Sequence, residues 1–169
     1  MTGLADEEIG ERIDKWPGVF RDEQDRVIGF WGLTVAEMPP HEIILDGRKL
    51  WAWCAWDTLF LPRRLEASLD VRSICPATGR TISLRVSPNA LESVEPNEVV
   101  VSFLEPNRPF DSKVITSFCR YGHFFANREA GKKWTVEHPG TFLLSLEEAF
   151  ELGRLTDDEL LGTFGNRKG

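Results

Sequence analysis

The chain has 169 residues, of which 41% are hydrophobic, and a net charge of −7 from 20 basic and 27 acidic side chains. This composition is typical of one globular domain and excludes a mainly disordered chain. Apolar runs fall short of the about 20 residues that span a membrane, and no basic stripe is present to neutralise nucleic-acid phosphates. The acidic N-terminus has no apolar signal core. We expect a cytoplasmic protein with neither membranes nor nucleic acid as partners.

The first elements predict a small N-terminal segment. Charged and apolar residues alternate at helical spacing over residues 4–14, which favours an amphipathic helix. Residues 19–35 are typical of two strands around a polar turn. Met38-Pro39-Pro40 then marks a boundary. We expect a short segment over residues 1–38 and a larger domain over residues 39–169.

Strands dominate the next part of the chain. Residues 41–53 predict a β-hairpin, because Asp46-Gly47 suits the positive φ angles of a type I′ turn between two apolar runs. The following stretch predicts a short helix that Pro62 ends or kinks. Residues 69–86 are typical of strand, turn and strand, and residues 98–106 of one further strand.

Helices are predicted towards the C-terminus. Residues 112–125 have apolar side chains at helical spacing with Ser112 as the N-cap, and residues 128–134 continue as helix. Ser145-x-x-Glu148 predicts a helix that Gly153 ends, and Thr156-x-x-Glu159 predicts another. Because strands and helices cluster separately, we predict an α+β fold with an antiparallel or mixed β-sheet core flanked by helices.

The thiols are the main candidates for chemistry. Cys54, Cys75 and Cys119 are odd in number, so they cannot all be paired in disulfides, and in the cytoplasm we expect free thiols. Motifs that bind a dinucleotide or a nucleotide phosphate are absent, as are zinc-protease and Cys-x-x-Cys motifs. The Gly-x-Ser-x-Gly motif of acyl hydrolases is absent too.

Cys54 stands where a strand passes into a helix, and Asp57 follows three residues later on the same helical face. The amides and dipole of a helix N-terminus favour thiolate over thiol. Trp51, Trp53 and Trp56 surround the pair, and apolar surroundings raise the pKa of a carboxyl group. Asp57 could therefore carry a proton near neutral pH. A buried structural cysteine beside a helix-start aspartate is the other interpretation of this pattern.

The two remaining cysteines leave alternatives open. Cys119 and His123 are four residues apart on one apolar helix face, which suits either metal ligands or packing residues. Cys75 precedes a turn over residues 76–79 that resembles half of a zinc knuckle, but a partner cysteine is missing. We therefore interpret Cys75 as structural.

Four segments follow one another in the sequence: WAWCAWDTLFLP, SICPATGRTISLRVSP, SFCRYGHFFAN and HPGTFLLSLEEAFELGR. In this order they resemble the organomercurial lyases, also called alkylmercury lyases. The resemblance runs from about Phe30 to Arg154, which is most of the chain. It implies an α+β fold with a helical, winged-helix-like N-terminal part.

The resemblance also implies an activity. In that family two cysteines and an aspartate cleave a carbon–mercury bond by protonolysis, giving R–H and Hg(II). These roles fall on Cys54, Asp57 and Cys119, and the Hg(II) product is bound by the two cysteines. Cys75 matches a family cysteine outside the catalytic set. The side chains expected to bind the organic group are aromatic: Trp53, Trp56 and Phe118.

The resemblance further implies no organic cofactor, and external thiols that release the Hg(II) product. The expected partners are organomercurial small molecules, with mercuric reductase or low-molecular-weight thiols as Hg(II) acceptors. Two features depart from the family. The region before the hairpin is short, so we expect a truncated winged-helix-like segment. Arg120 follows Cys119, where some relatives have another cysteine.

Other function classes fit parts of the same pattern. A non-catalytic protein of this fold could hold mercury or zinc on its thiols, since thiolates prefer soft metal ions. A zinc site from Cys54, Cys119 and His123, with Asp57 as an optional fourth ligand, is another alternative. A DNA-binding module is disfavoured, because residues 1–50 carry 6 basic and 11 acidic side chains. The agreement of several segments in order favours the lyase.

Overall fold

The computed structural model describes residues 18–105 and 114–165. Within these ranges the chain forms two antiparallel β-sheets with helices packed around them, which confirms the predicted α+β class. The strands are β1 (Val19–Arg21), β2 (Val27–Phe30), β3 (Leu33–Thr34), β4 (Glu42–Leu45), β5 (Arg48–Ala52), β6 (Leu69–Ile74), β7 (Thr81–Val86), β8 (Leu91–Glu95), β9 (Val100–Leu104), β10 (Phe124–Phe125) and β11 (Thr141–Ser145). The α-helices are α1 (Asp57–Leu65), α2 (Val114–Ser117), α3 (Arg128–Glu137) and α4 (Leu146–Gly165), and a 3₁₀ helix covers Cys119–Tyr121.

The larger sheet has eight strands in the order β1-β2-β3-β5-β4-β6-β7-β8. Its β6–β7 pair alternates buried and exposed side chains, as expected of strands with one face on the core. Leu69 lies opposite Val86 and Val71 opposite Leu84, and all four side chains are buried. These residues form part of the core on which α1 packs.

The hairpin predicted around Asp46-Gly47 is confirmed. Asp46 has φ 49° and Gly47 has φ 75°, and β4 pairs with β5 from Leu45 and Arg48 outwards. A second turn of this kind joins β2 to β3 at Trp31-Gly32, where the φ angles are 50° and 92°. This second turn lies beside the candidate site.

The smaller sheet has the order β10-β9-β11. Helix α3 packs on it through Gly131, where an added Cβ would lie 2.9 Å from a methyl carbon of Leu143. The helix begins after Asn127, whose side chain accepts a 2.9 Å hydrogen bond from the N–H of Ala130. The predicted helical character of residues 128–134 is therefore confirmed.

Three predicted helix boundaries are wrong. Helix α1 does not end at Pro62 but continues through it to Leu65, and its C-cap residue Glu66 adopts a left-handed conformation. Helix α4 continues past Gly153, because this glycine lets it approach α1: a Cβ there would lie 3.2 Å from the Cβ of Phe60. Thr156 donates to the carbonyl of Leu152 within the helix instead of starting a new one.

The capping box predicted at the start of α4 is confirmed. The N–H of Ser145 donates to the Glu148 carboxylate at 2.7 Å, and the N–H of Glu148 donates to the Ser145 hydroxyl at 3.1 Å. These two bonds satisfy backbone donors at the helix start. They fix the point at which β11 passes into α4.

The helical spacing over residues 112–125 predicts more helix than the described residues contain. Only α2 and the 3₁₀ helix form there, and the chain then joins β9 as strand β10. The helical conformation ends at Gly122, whose backbone is extended at φ −89° and ψ 94°.

Several predictions fall outside the described residues. The helix over 4–14 and the N-cap Ser112 are among them, so the division at residue 38 stays a prediction. Strands β1 to β3 belong to the eight-stranded sheet. No helix in the described ranges is long and apolar enough to cross a bilayer.

Candidate active site

Cys54, Asp57 and Cys119 come together in the structure although Cys119 is 65 residues from Cys54 in sequence. Cys54 follows β5, Asp57 is the first residue of α1, and Cys119 begins the 3₁₀ helix. The two sulfur atoms and a carboxylate oxygen all lie within 4.8 Å of one another. The exposed fractions are 1%, 6% and 5%, so all three side chains are buried.

The start of α1 joins Cys54 to Asp57. The backbone N–H of Cys54 donates a 2.8 Å hydrogen bond to Oδ2 of Asp57. One residue later, the hydroxyl of Thr58 donates at 2.7 Å to the carbonyl of Ala55. Because both bonds span three residues, the Cys-x-x-Asp spacing itself places the carboxyl group beside the thiol.

Gly122 joins the Cys119 segment to Cys54. Its N–H donates to the carbonyl of Cys119, and its own carbonyl accepts the N–H of Ala55, both at 3.0 Å. An added Cβ at Gly122 would lie 2.9 Å from Cβ and 3.1 Å from Sγ of Cys54. Sequence reasoning missed this role; the available signal was a glycine three residues after Cys119.

Strand β9 holds the Cys119 segment through hydrogen bonds of Ser102. The hydroxyl of Ser102, a buried residue, donates to the carbonyl of Tyr121 at 2.6 Å. The same oxygen accepts the N–H of His123 at 3.1 Å, and the N–H of Ser102 donates to the His123 carbonyl at 3.0 Å. These three bonds hold the end of the 3₁₀ helix on the smaller sheet.

Burial controls the protonation of the site. It raises the pKa of Asp57 to about 7, although hydrogen bonds with the side chain and backbone of Cys54 act to lower it. This direction agrees with the prediction. Asp57 can therefore exchange a proton near neutral pH, as a proton carrier requires.

The thiolate expected at Cys54 is not favoured in the structure. Burial raises the pKa of Cys54 well above its ordinary value, and contact with Cys119 and the Asp57 charge raises it further. The opposing effect of the Asp57 backbone is smaller. Cys54 lies two residues before the helix N-cap, Trp56, so it receives little of the helix-end field.

Two of the three predicted aromatic residues lie together. The rings of Trp56 and Phe118 are 6.2 Å apart, and Phe103 contacts both at 5.5 and 6.4 Å. The indole N–H of Trp56 donates to the carbonyl of Ala149, which fixes its orientation. The third residue, Trp53, packs against Phe20 of β1 at 6.5 Å.

His123 and Cys75 do not belong to the group of donor atoms formed by Cys54, Asp57 and Cys119 within the described ranges. The His123 ring packs edge-on against Trp134 at 5.3 Å, which supports the packing interpretation. Cys75 is buried at the β6–β7 turn. The zinc site that would use His123 as a ligand therefore has no geometric support.

Two buried thiols beside one carboxyl group define a site for a soft, thiophilic metal ion or its organic derivative. Comparison with known proteins gives the family. The sequence profile of the alkylmercury lyases, MerB, matches residues 33–156. The chain therefore belongs to the alkylmercury lyase family.

Individual relatives agree with this assignment. An alkylmercury lyase of Bacillus cereus is 44% identical over 154 residues, which are 91% of this chain and 69% of the relative. One of Pseudomonas putida is 42% identical over 159 residues, covering 94% and 73%. The crystal structure of the mercury-bound form of MerB2 superimposes with a TM-score of 0.69 at 30% identity, covering 88% of this chain and 71% of that one. The fold class and the enzyme family predicted from the sequence are confirmed.

Proposed function

We propose that this protein is an organomercurial lyase that cleaves R–Hg–X by protonolysis, with Cys54, Asp57 and Cys119 as its catalytic residues. The observation that carries the proposal is the contact of two thiols and a carboxyl group within 4.8 Å in a buried site. Mercury is a soft metal ion that prefers sulfur ligands.

The first step is exchange of the ligand X for a thiolate. The mercury atom of R–Hg–X binds Sγ of Cys54 or Cys119, and the thiol proton leaves. Because the pKa of Asp57 is raised to about 7, its carboxylate can accept that proton beside the Cys54 sulfur. X departs as an anion and takes up the proton that the second thiol releases when it binds mercury.

The second step breaks the carbon–mercury bond. Coordination by the second sulfur raises the electron density on mercury and on its carbon. The electron pair of the carbon–mercury bond takes the proton from Asp57, which releases R–H. In total R–Hg–X and two thiols give R–H, HX and Hg(II) bound by two thiolates, and no electrons are gained or lost.

The aromatic residues supply the walls of the proposed site. Trp56 and Phe118 form one cluster with Phe103, and we assign Trp53, Trp56 and Phe118 to the organic group R. Such rings accept methyl or aryl groups and exclude water. Exclusion of water keeps the Asp57 proton for the carbon atom.

Release of the product requires other thiols. Hg(II) on Cys54 and Cys119 is removed by exchange with an external dithiol, with low-molecular-weight thiols or with the thiols of mercuric reductase. The balanced reaction needs no organic cofactor. A protein that binds Hg(II) without turnover is the alternative, because it would use the same two thiols.

The deciding experiment is incubation with phenylmercuric acetate and excess dithiol, followed by measurement of benzene in the headspace. We expect many equivalents of benzene per chain, and none above the protein-free control for Cys54→Ser. Cys75→Ser is the matched control, since it removes a buried thiol outside the donor group. Bound phenylmercury without benzene would show a binding protein instead.

A further inference from the structure

Two turns of the larger sheet both have positive φ at their two central residues but differ in sequence. Asp46-Gly47 joins β4 to β5 with φ angles of 49° and 75°, and Trp31-Gly32 joins β2 to β3 with φ angles of 50° and 92°. Asp46 is a residue that this conformation favours, whereas a bulky tryptophan with positive φ is a rare outlier. Such strain persists only where surrounding contacts hold the residue in place.

The space around the second residue of each turn also differs. Around Gly47 an added Cβ would meet nothing within 4 Å. At Gly32 it would lie 2.5 Å from Oδ1 and 2.6 Å from Cγ of Asp57. The Gly32 carbonyl also accepts the N–H of Trp53 at 2.9 Å. The β2–β3 turn is therefore packed directly on the Asp57 carboxyl group.

Trp31 is held by a chain of contacts that ends in α4. The guanidinium carbon of Arg64 lies 4.3 Å from the centre of the Trp31 ring, within the range of a cation–π contact. Arg64 is paired with Asp157 at 2.6 Å, and Asp157 is 1% exposed. Asp57 and Arg64 are seven residues apart on α1, about two turns, so they share one helix face. The β2–β3 turn lies along that face.

We propose that Trp31 is a positioning residue whose contact with Arg64 keeps the Gly32 backbone closed over the Asp57 carboxyl group. The inference rests on the proposed role of Asp57 as proton carrier. Trp31 acts through Gly32, so it is not a catalytic residue. Loss of its ring contact lets the turn move away, admits water to Asp57 and weakens the hydrogen bond from the Cys54 N–H.

The test uses a variant that keeps the turn. Trp31→Asn creates Asn-Gly, a favoured pair for two positive φ angles, so the hairpin folds while the ring contact is lost. Trp31→Phe keeps an aromatic face for Arg64 and should restore wild-type behaviour. Asp46→Asn introduces the same residue at the equivalent position of the exposed β4–β5 turn and is the matched control.

The first measurement is amide hydrogen exchange in the mercury-free protein. The reporters are the N–H groups of Cys54 and Trp53, which bond to Asp57 and Gly32 at 2.8 and 2.9 Å. In Trp31→Asn we expect both to exchange at least about tenfold faster, with Trp31→Phe and Asp46→Asn near wild type. Unchanged exchange at both reporters in Trp31→Asn would overturn the proposal.

The second measurement separates capture of substrate from its cleavage. Trp31→Asn should bind one equivalent of phenylmercury as the wild type does, but release benzene at least about tenfold more slowly. Equal acceleration of exchange across the β6–β7 strands would indicate general destabilisation and also overturn the proposal. A wild type that releases no benzene would contradict the proposed function, whereas the exchange data would still decide the role of Trp31.

Discussion

Gly122 touches the Cys54 side chain so closely that a single added carbon would overlap it, at 2.9 Å from Cβ and 3.1 Å from Sγ. Since Gly122 also accepts the N–H of Ala55 and donates to the carbonyl of Cys119, it is the contact point of two distant chain segments. The spacing of the two sulfurs depends on this absent side chain.

Gly122→Ala should therefore separate the thiols without unfolding the protein. The φ of −89° suits alanine, so the cost comes from the overlap with Cys54. We expect benzene release to fall by about tenfold or more, and the ultraviolet absorption of the bis-thiolate Hg(II) complex to weaken. Gly47→Ala lies at an exposed turn with open space around it, and its positive φ of 75° should lower stability but leave both signals unchanged per folded molecule. Wild-type absorption in Gly122→Ala would contradict the positioning role.

Asp57→Asn should separate mercury binding from turnover. The two thiols remain, so phenylmercury should still bind, but the amide cannot carry the proton. Removal of a general acid slows reactions by about 10²–10⁴-fold. Stoichiometric binding can be followed by mass spectrometry and turnover by benzene release. Unchanged turnover would mean that the proton reaches the carbon by another route.

The same substitution should change the pH dependence of stability. Asp57 has a pKa of about 7 when folded and an ordinary value of 3.8. The folded protein therefore binds more protons between these values, so Asp57 makes stability fall as the pH rises towards 7. Asp57→Asn should exceed the wild type in unfolding free energy by roughly 1–4 kcal/mol at pH 8. Urea unfolding should show the difference vanishing towards pH 4.

His41 should produce the opposite pH dependence. Its ring is buried and accepts or donates a 3.0 Å hydrogen bond with the Ser73 hydroxyl through Nδ1. Burial, with a smaller effect from His123, lowers the pKa of His41 from 6.5 to about 3. The unfolded chain thus binds more protons between these values, and stability is lost as the pH falls below about 6.5.

His41→Gln should remove this acid sensitivity. We expect the wild type to lose about 2–3 kcal/mol through His41 between pH 7 and 4.5, and the variant to lack that contribution. Asp57 acts in the other direction over the same range, so the difference between the two proteins is the quantity to measure. Equal slopes of unfolding free energy against pH would contradict the role of His41.

Cys75→Ser should affect stability more than catalysis. Burial acts to raise the pKa of the Cys75 thiol, but hydrogen bonds with Thr78 and with the backbone of Ala126 and Ala77 lower it below its ordinary value. These contacts tie the β6–β7 turn to the residue after β10. We expect a loss of about 1–3 kcal/mol with normal turnover per folded molecule. Inactivity in a well-folded variant would place Cys75 in the reaction.

Local signals explain what the sequence predicted correctly. Asp46-Gly47, the alternation of β6 and β7, and the Ser145–Glu148 capping box each depend on residues a few positions apart. The Cys54–Asp57 contact is local too, because one hydrogen bond over three residues makes it. Such features follow from backbone geometry alone.

Non-local packing explains the errors. Gly153 has the usual signature of a helix end, but here it serves the approach of α4 to Phe60 of α1. The roles of Gly122 and Gly32 depend on neighbours far away in the sequence. The pKa of Cys54 was misjudged for the same reason, since burial by distant elements outweighs the nearby helix end.

The two proposed mercury ligands are 65 residues apart, one following β5 of the larger sheet and the other preceding β10 of the smaller. An S–Hg–S bridge between them is in effect a cross-link that closes a long loop. A disulfide over such a loop disfavours the unfolded chain by about 4 kcal/mol. The product-loaded enzyme should therefore resist heat and denaturant better than the free enzyme. Each turnover then ends in a form that is more stable than the free enzyme, and the acceptor thiol must offset this added stability when it removes Hg(II).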